Sequence, residues 1–67
     1  MPPKIKDLLK ILESAGFKNR GGRGSHRNFR HPKGVNITIS GKLSSDAKPY
    51  QEIDVKEALK RIRNEKK

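Results

Sequence analysis

The clearest pattern near the start of the chain is an apolar stripe at helical spacing. Its members stand at i, i+3, i+4 and i+7, namely Ile5, Leu8, Leu9 and Leu12. This spacing places them on one face of a helix, with charged residues on the other face. Gly16 follows, and glycine commonly ends a helix because it tolerates positive φ. The pattern predicts a helix over residues 4–15 that packs against a sheet.

The middle of the chain changes to the period of two that is typical of strands. Val35, Ile37 and Ile39 alternate with polar residues, which predicts a strand over residues 35–40. Further strands are predicted over residues 17–20 and 25–31. Between these two strands, three of four residues are glycine, which indicates a loop.

Parity along the predicted strand of residues 25–31 sorts its side chains into two groups. If Phe29 lies on the apolar face, Arg27 and His31 point toward that face, near its rim. The opposite, open face then receives His26, Asn28 and Arg30. We therefore expect His26 to be displayed beside cations, whereas His31, at a turn before a proline, is expected to have a structural role.

The end of the chain is predicted to contain a linker and a second helix. Residues 41–53 are mostly polar and are interpreted as a linker, with Tyr50 packing it or, alternatively, stacking on a base. A helix is predicted over residues 55–63, where Asp54 and Glu57 resemble a capping box. Its apolar stripe consists of Val55, Ala58, Leu59 and Ile62.

The predicted order of elements is α-β-β-β-α within one domain, residues 1–67. Such an order predicts a three-stranded antiparallel sheet with two helices on one face and solvent on the other. This is an α+β fold, similar to that of double-stranded-RNA-binding domains.

Charge indicates the kind of partner. The formal net charge is +10, and no Asp or Glu occurs between Glu13 and Asp46. A surface of this kind attracts polyanions, so nucleic acid is the first expectation, ahead of an anionic membrane or an acidic protein. The chain has no Cys and no apolar run long enough for a signal peptide or a membrane span. We expect a soluble, cytoplasmic protein with no membrane partner.

A family resemblance rests on three motifs along residues 4–40. They are Ile5-x-x-Leu8-Leu9-x-x-Leu12 before Gly16-Phe17, then Gly24-Ser25-His26-Arg27-Asn28-Phe29-Arg30-His31-Pro32, and then the apolar strand Val35 to Ile39. In these motifs the chain resembles the HicA-type toxins of HicA–HicB toxin–antitoxin systems. Many HicA toxins have a second histidine where this chain has Arg27, and the linker and final helix also differ from the usual pattern.

The resemblance implies a type II toxin that cleaves mRNA and so inhibits translation and growth. The histidine of the Gly-Ser-His element is catalytic in that family, which implies that His26 is the catalytic residue. It also implies a HicB-type antitoxin as partner, with the toxin a monomer alone or part of a hetero-oligomer with the antitoxin.

Metal-free RNA cleavage needs a proton acceptor, a proton donor and positive charge around the phosphorane. An imidazole titrates near neutrality and can fill either proton role. The residues expected to contact RNA are Arg20, Arg23, Gly24, Ser25, Arg27, Asn28 and Arg30. The glycine-rich loop either presents N–H groups to phosphate or is a flexible hairpin loop. No acidic residues are spaced with a histidine as metal ligands, so no metal or cofactor is expected.

A second class of function also fits these residues. The chain could be a non-catalytic RNA-binding module that recognises shape and phosphates. Replacing His26 separates the two classes, because a nuclease loses cleavage and a binding module loses little affinity.

Overall fold

The computed structural model describes residues 2–24 and 26–63 of the chain. Its elements are α1 (Ile5–Ser14), β1 (Lys18–Asn19), β2 (Arg27–Arg30), β3 (Asn36–Ile39) and α2 (Pro49–Arg63). The strands form one antiparallel sheet in the order β1-β2-β3. Element order and sheet confirm the predicted α+β class. Neither α1 nor α2, the two helices of the described residues, has both the length and the apolar character needed to cross a membrane.

The first helix buries the predicted apolar stripe. Its fully buried members are Ile5, Leu8 and Leu12. At its start, the backbone N–H of Lys4 donates to the carboxylate of Asp7 at 2.9 Å. Asp7 is the third residue of the helix, and a bond from its side chain back to the N-cap backbone is one half of a capping box. The periodic pattern therefore located the helix to within one residue at each end.

The register of β2 and β3 gives the sheet two different faces. Phe29 lies opposite Ile37, and Asn28 lies opposite Thr38. Directly opposed residues share a face of the sheet, so the apolar and polar pairs point in opposite directions. Phe29 is buried in the core with both helices, whereas Asn28 and Thr38 are exposed. The helices therefore cover one face and leave the other open, as the alternation predicted.

The loop after β3 is tied to the start of the chain. Its carbonyls accept hydrogen bonds from the first helical turn: the N–H of Ile5 donates to Ser45 O at 2.9 Å, and the N–H of Lys6 donates to Leu43 O at 3.2 Å. Lys4 Nζ also lies 2.7 Å from Asp46 Oδ1. These contacts fix the loop without Tyr50, which belongs to α2 and is 56% exposed. Tyr50 thus lies in the first turn of a helix and not within a linker as predicted.

The second helix begins earlier than the apolar stripe predicted. It starts at Pro49, so Asp54 lies inside the helix and the predicted capping box there is wrong. Proline suits the first helical position because its missing N–H has no partner there in any case. Gln51 supplies the cap: its Oε1 accepts from the backbone N–H of Lys48 at 2.8 Å. Its Nε2 donates to the carbonyl of Ser40, also at 2.8 Å, and the side chain is buried.

Candidate functional site

His26 stands immediately before β2 and is exposed. Its backbone N–H donates to the carbonyl of Arg23 at 2.9 Å, which closes a tight turn in the preceding loop. The strand predicted for residues 25–31 is shorter in the structure and begins at Arg27. His26 therefore belongs to the junction between the glycine-rich loop and the strand, where its imidazole meets solvent.

The glycine-rich loop has a defined backbone geometry. Asn19 Oδ1 accepts from the N–H of Gly21 at 2.8 Å, and the N–H of Asn28 donates to the carbonyl of Gly21 at 3.0 Å. A Cβ built on Gly22 would lie 2.3 Å from the carbonyl oxygen of His26, closer than real Cβ contacts allow. The absence of a side chain at Gly22 thus lets the loop approach the His26 backbone and determines where that residue stands.

Arg27 points to the helix-covered side of the sheet. It is half-buried, and its Nη1 donates to the carbonyl of Gly41 at 2.9 Å. The contact joins β2 to the loop after β3. Although Arg27 was expected to contact RNA, the structure separates it from the open-face residues, as strand parity predicted.

A shallow concavity lies on the open face of the sheet. Its polar lining consists of Arg20, Asn28, Arg30, Asn36 and Thr38. The hydroxyl of Thr38 donates to Asn28 Oδ1 at 2.8 Å, which leaves the amide N–H groups of Asn28 available to a ligand. His26 does not line this concavity. The face offers cations beside neutral hydrogen-bonding groups, a suitable surface for phosphates and bases.

A second concavity lies beside the first and shares Arg20 and Arg30 with it. Its lining consists of Lys18, Arg20, Arg30, His31 and Pro32. Lys18 and Arg30 are register partners across β1 and β2. Neither Lys18 nor Asn36 and Thr38 of the open face was among the expected RNA contacts. Pairing β1 with β2 in the correct register would have brought Lys18 into the group.

Both ring nitrogens of His31 have partners within the fold. Its Nδ1 accepts from the backbone N–H of Lys33 at 3.0 Å, so the proton lies on Nε2, 3.2 Å from the carbonyl oxygen of Ala15. The ring also meets Phe17 edge-on, with centroids 5.0 Å apart. These contacts join the end of α1 to the turn after β2, in agreement with the expected structural role.

The remaining expected contacts lie in or near the glycine-rich loop. Arg23 and Gly24 are exposed there, on the chain segment that leads to His26. Ser25, expected to form a turn or contact phosphate, lies outside the described residues. Within residues 2–24 and 26–63, no three His, Asp or Glu side chains cluster as ligands of a metal ion.

One comparison with known proteins gives a match. A model of the HicA toxin family of bacterial toxin-antitoxin systems matches residues 5–62, from the first residue of α1 almost to the end of α2. The match therefore includes the glycine-rich loop, His26 and all three strands. No curated protein matches the chain.

Proposed function

The chain belongs to the HicA toxin family and is a toxin of a toxin–antitoxin system, and from its site we propose that it is an endoribonuclease that cleaves mRNA. His26 is the catalytic residue of this proposal and acts as general acid/base. Arg20, Asn28 and Arg30 bind the RNA beside it. Cleavage of mRNA inhibits translation and growth.

The proposed reaction uses the ribose 2′-hydroxyl as nucleophile and needs no metal. The neutral imidazole of His26 accepts the proton of the 2′-hydroxyl as the oxygen forms a bond to the adjacent phosphorus. The bond from phosphorus to the 5′-oxygen then breaks, and the leaving oxygen takes a proton from water. The protonated His26 gives its proton to the hydroxide so formed, which restores both the water and the neutral imidazole. The products are a 2′,3′-cyclic phosphate and a 5′-hydroxyl end. Arg23, exposed in the turn that leads to His26, stabilises the additional negative charge on the phosphorane.

The single observation that carries this proposal is the position of His26. The residue is exposed, and the loop before it can approach its backbone because Gly22 has no side chain. It leads directly into β2, which presents Asn28 and Arg30 on the open face. The surrounding sequence supplies cations and no carboxylate, which favours a substrate with phosphates and disfavours a His–Asp pair. Because the other histidine of the chain, His31, is bound to Ala15 and Lys33, His26 serves without a second imidazole, and we expect a slow enzyme.

The test compares wild type with His26→Ala, first in cells and then with purified protein. Induced without the antitoxin, wild type should arrest growth and degrade mRNA, whereas His26→Ala should do neither. In vitro, His26→Ala should bind single-stranded RNA with nearly wild-type affinity and leave it uncut. The control is Lys56→Ala, which removes an exposed lysine of α2 and should remain toxic. Toxicity of His26→Ala equal to wild type would eliminate the proposed role of His26.

A non-catalytic RNA-binding module is the second candidate. It is favoured by the fact that both cationic concavities exclude His26 from their lining, so RNA can occupy them without reaching the imidazole. In that case purified wild type binds RNA and leaves it intact, and His26→Ala changes the affinity little.

We further propose that the partner is a HicB-type antitoxin that covers His26 and the open face. A net charge of +10 makes an acidic covering surface favourable. The site of action is the cytoplasm, where mRNA is translated. Covering the open face should make RNA and antitoxin compete, so added antitoxin should release labelled RNA from the His26→Ala variant.

A further inference from the structure

Two cations face each other across the first pair of strands. Lys18 of β1 is the register partner of Arg30 of β2. Like charges directly opposite each other destabilise an antiparallel pair. Within residues 2–24 and 26–63, the side chains of Lys18 and Arg30 have no hydrogen-bonding or ion-pair partner. The isolated fold therefore keeps an unfavourable pair that nothing in the described part of the chain compensates.

Arg20 adds a third cation to this pair. With Lys18 and Arg30 it lines the concavity at the β1 edge, and its backbone N–H donates to the carbonyl of Asn28, which fixes its position relative to β2. Arg20 and Arg30 also line the concavity of the open face. The two concavities thus adjoin at two shared arginines, and Lys18 lines the one at the edge of the sheet.

We infer that Lys18, Arg20 and Arg30 form a phosphate-binding subsite for single-stranded RNA, separate from the phosphate that is cleaved at His26. A phosphate between Lys18 and Arg30 relieves their repulsion, because each cation then has an anion beside it. The adjacent open face, with Asn28, Asn36 and Thr38, receives the neighbouring nucleotide. This inference rests on the proposed function and specifies where its substrate extends beyond the cleavage site.

The neighbouring open face favours RNA over an acidic protein as the occupant. Asn36 and Thr38 are exposed, and their neutral amide and hydroxyl groups can hydrogen-bond to base edges and to the ribose 2′-hydroxyl. The carboxylates of an acidic protein segment would need only the cations and would not require the amide and hydroxyl groups beside them. Single-stranded RNA uses both kinds of group, because its phosphates alternate with sugars and bases along the strand.

The experiment measures RNA affinity against salt concentration in the His26→Ala background, so that the RNA stays intact. The probe is a labelled single-stranded RNA. Lys18→Gln should weaken binding about 3- to 10-fold and reduce the slope of log affinity against log salt by about 0.7, the value for one phosphate contact on a single strand. Lys56→Gln, the matched control on the exposed surface of α2, should change neither quantity.

A charge reversal separates loss of binding from loss of folding. Lys18→Glu replaces the repulsion with an attraction to Arg30, so it should raise the melting temperature by about 1–5 °C. The same variant should bind RNA more weakly than Lys18→Gln. Opposite changes in stability and affinity exclude unfolding as the cause of weaker binding.

Two results would overturn the subsite. One is that Lys18→Gln has the affinity and salt slope of Lys56→Gln. The other is that Lys18→Gln loses affinity for poly-L-glutamate and keeps its affinity for RNA, which would assign the cations to an acidic protein. Cleavage by protein with His26 intact is measured separately. RNA binding that depends on Lys18 without any cleavage would refute the proposed nuclease and leave the subsite standing.

Discussion

His31 and Ala15 connect the sheet to the first helix. Nε2 of His31 lies 3.2 Å from the carbonyl oxygen of Ala15, the C-cap residue of α1. The last carbonyls of a helix have no partner within it, so this contact satisfies a group that would otherwise need water. Gly16 leaves room for the ring, since a Cβ there would lie 3.1 Å from Nε2. One histidine of the chain is therefore part of the scaffold, and the other is exposed.

Replacing the two histidines should separate stability from activity. His31→Ala removes the bond to Ala15 and the edge-on contact with Phe17, so the free energy of unfolding should fall by about 2 kcal/mol. His26→Ala should change it by less than about 0.5 kcal/mol, because the side chain is exposed. Urea unfolding of the two variants checks this. Equal losses of stability would contradict the structural role assigned to His31.

Gln51 should contribute more to stability than its polar side chain suggests. Gln51→Ala leaves the Lys48 N–H and the Ser40 carbonyl without their partner, at a cost of about 1–3 kcal/mol. Gln51→Glu keeps the acceptor for Lys48, but it loses the donor to Ser40 and buries a charge, so it should also destabilise the protein. Thermal melting measures both. Glu57→Ala, on the exposed surface of the same helix, is the control and should melt near the wild-type temperature.

Periodic apolar residues were sufficient to predict most of the fold. The α1 stripe and the alternation of β3 report directly which face is buried, and burial of one face is what fixes strand register. The start of α2 could not be found this way. Its first five residues include exposed Tyr50 and Ile53 and a buried Gln51, so hydrophobic periodicity begins only at Val55. The burial of Gln51 depends on Ser40, eleven residues earlier, whose carbonyl accepts from the Gln51 amide, and a local pattern cannot reveal this tertiary contact.

The sequence predicted the part of the candidate site that lies on β2, because the alternation of side chains along a strand shows which of them share a face. Parity along β2 placed Asn28 and Arg30 on the open face and turned Arg27 away from it. Lys18 was missed because β1 is only two residues long and has no apolar alternation of its own. Its place beside Arg30 follows from the pairing of β1 with β2, which the loop between them determines.

Gly22 should matter more for catalysis than for folding. In Gly22→Ala, the new Cβ would meet the His26 carbonyl oxygen at 2.3 Å, so loop and strand must move apart at the residue proposed to be catalytic. A displacement of about 1 Å can reduce the rate roughly 100-fold. We therefore expect RNA cleavage by Gly22→Ala to fall at least about 10-fold at a temperature where circular dichroism shows the protein folded.

Gly34→Ala is the control for this prediction. Gly34 has a φ of +88° and open space around it, so alanine there costs backbone strain of about 1 kcal/mol without displacing His26. Cleavage by folded Gly34→Ala should remain near wild type. If both glycine variants lose cleavage in proportion to their stability, Gly22 has no special role in positioning His26.

Arg27 and Arg30 are three residues apart on one strand and should have opposite roles. Arg27→Ala loses the bond to the Gly41 carbonyl and the packing of a half-buried side chain, so the free energy of unfolding should fall by about 1–2 kcal/mol. Arg30→Ala removes the repulsion with Lys18, so stability should be unchanged or slightly higher. RNA binding should show the reverse order, because Arg30 lines both cationic concavities.

The two arginine variants are compared by urea unfolding and by RNA binding in the His26→Ala background. Arg27→Lys adds a useful check, since it keeps the charge and loses the guanidinium geometry that reaches Gly41. If Arg27 acts through Gly41, Arg27→Lys should lie between wild type and Arg27→Ala in stability, because the lysine stem keeps part of the packing, and it should bind RNA normally at low temperature. An RNA affinity that falls as much for Arg27→Ala as for Arg30→Ala, with both proteins folded, would show that Arg27 also contacts RNA.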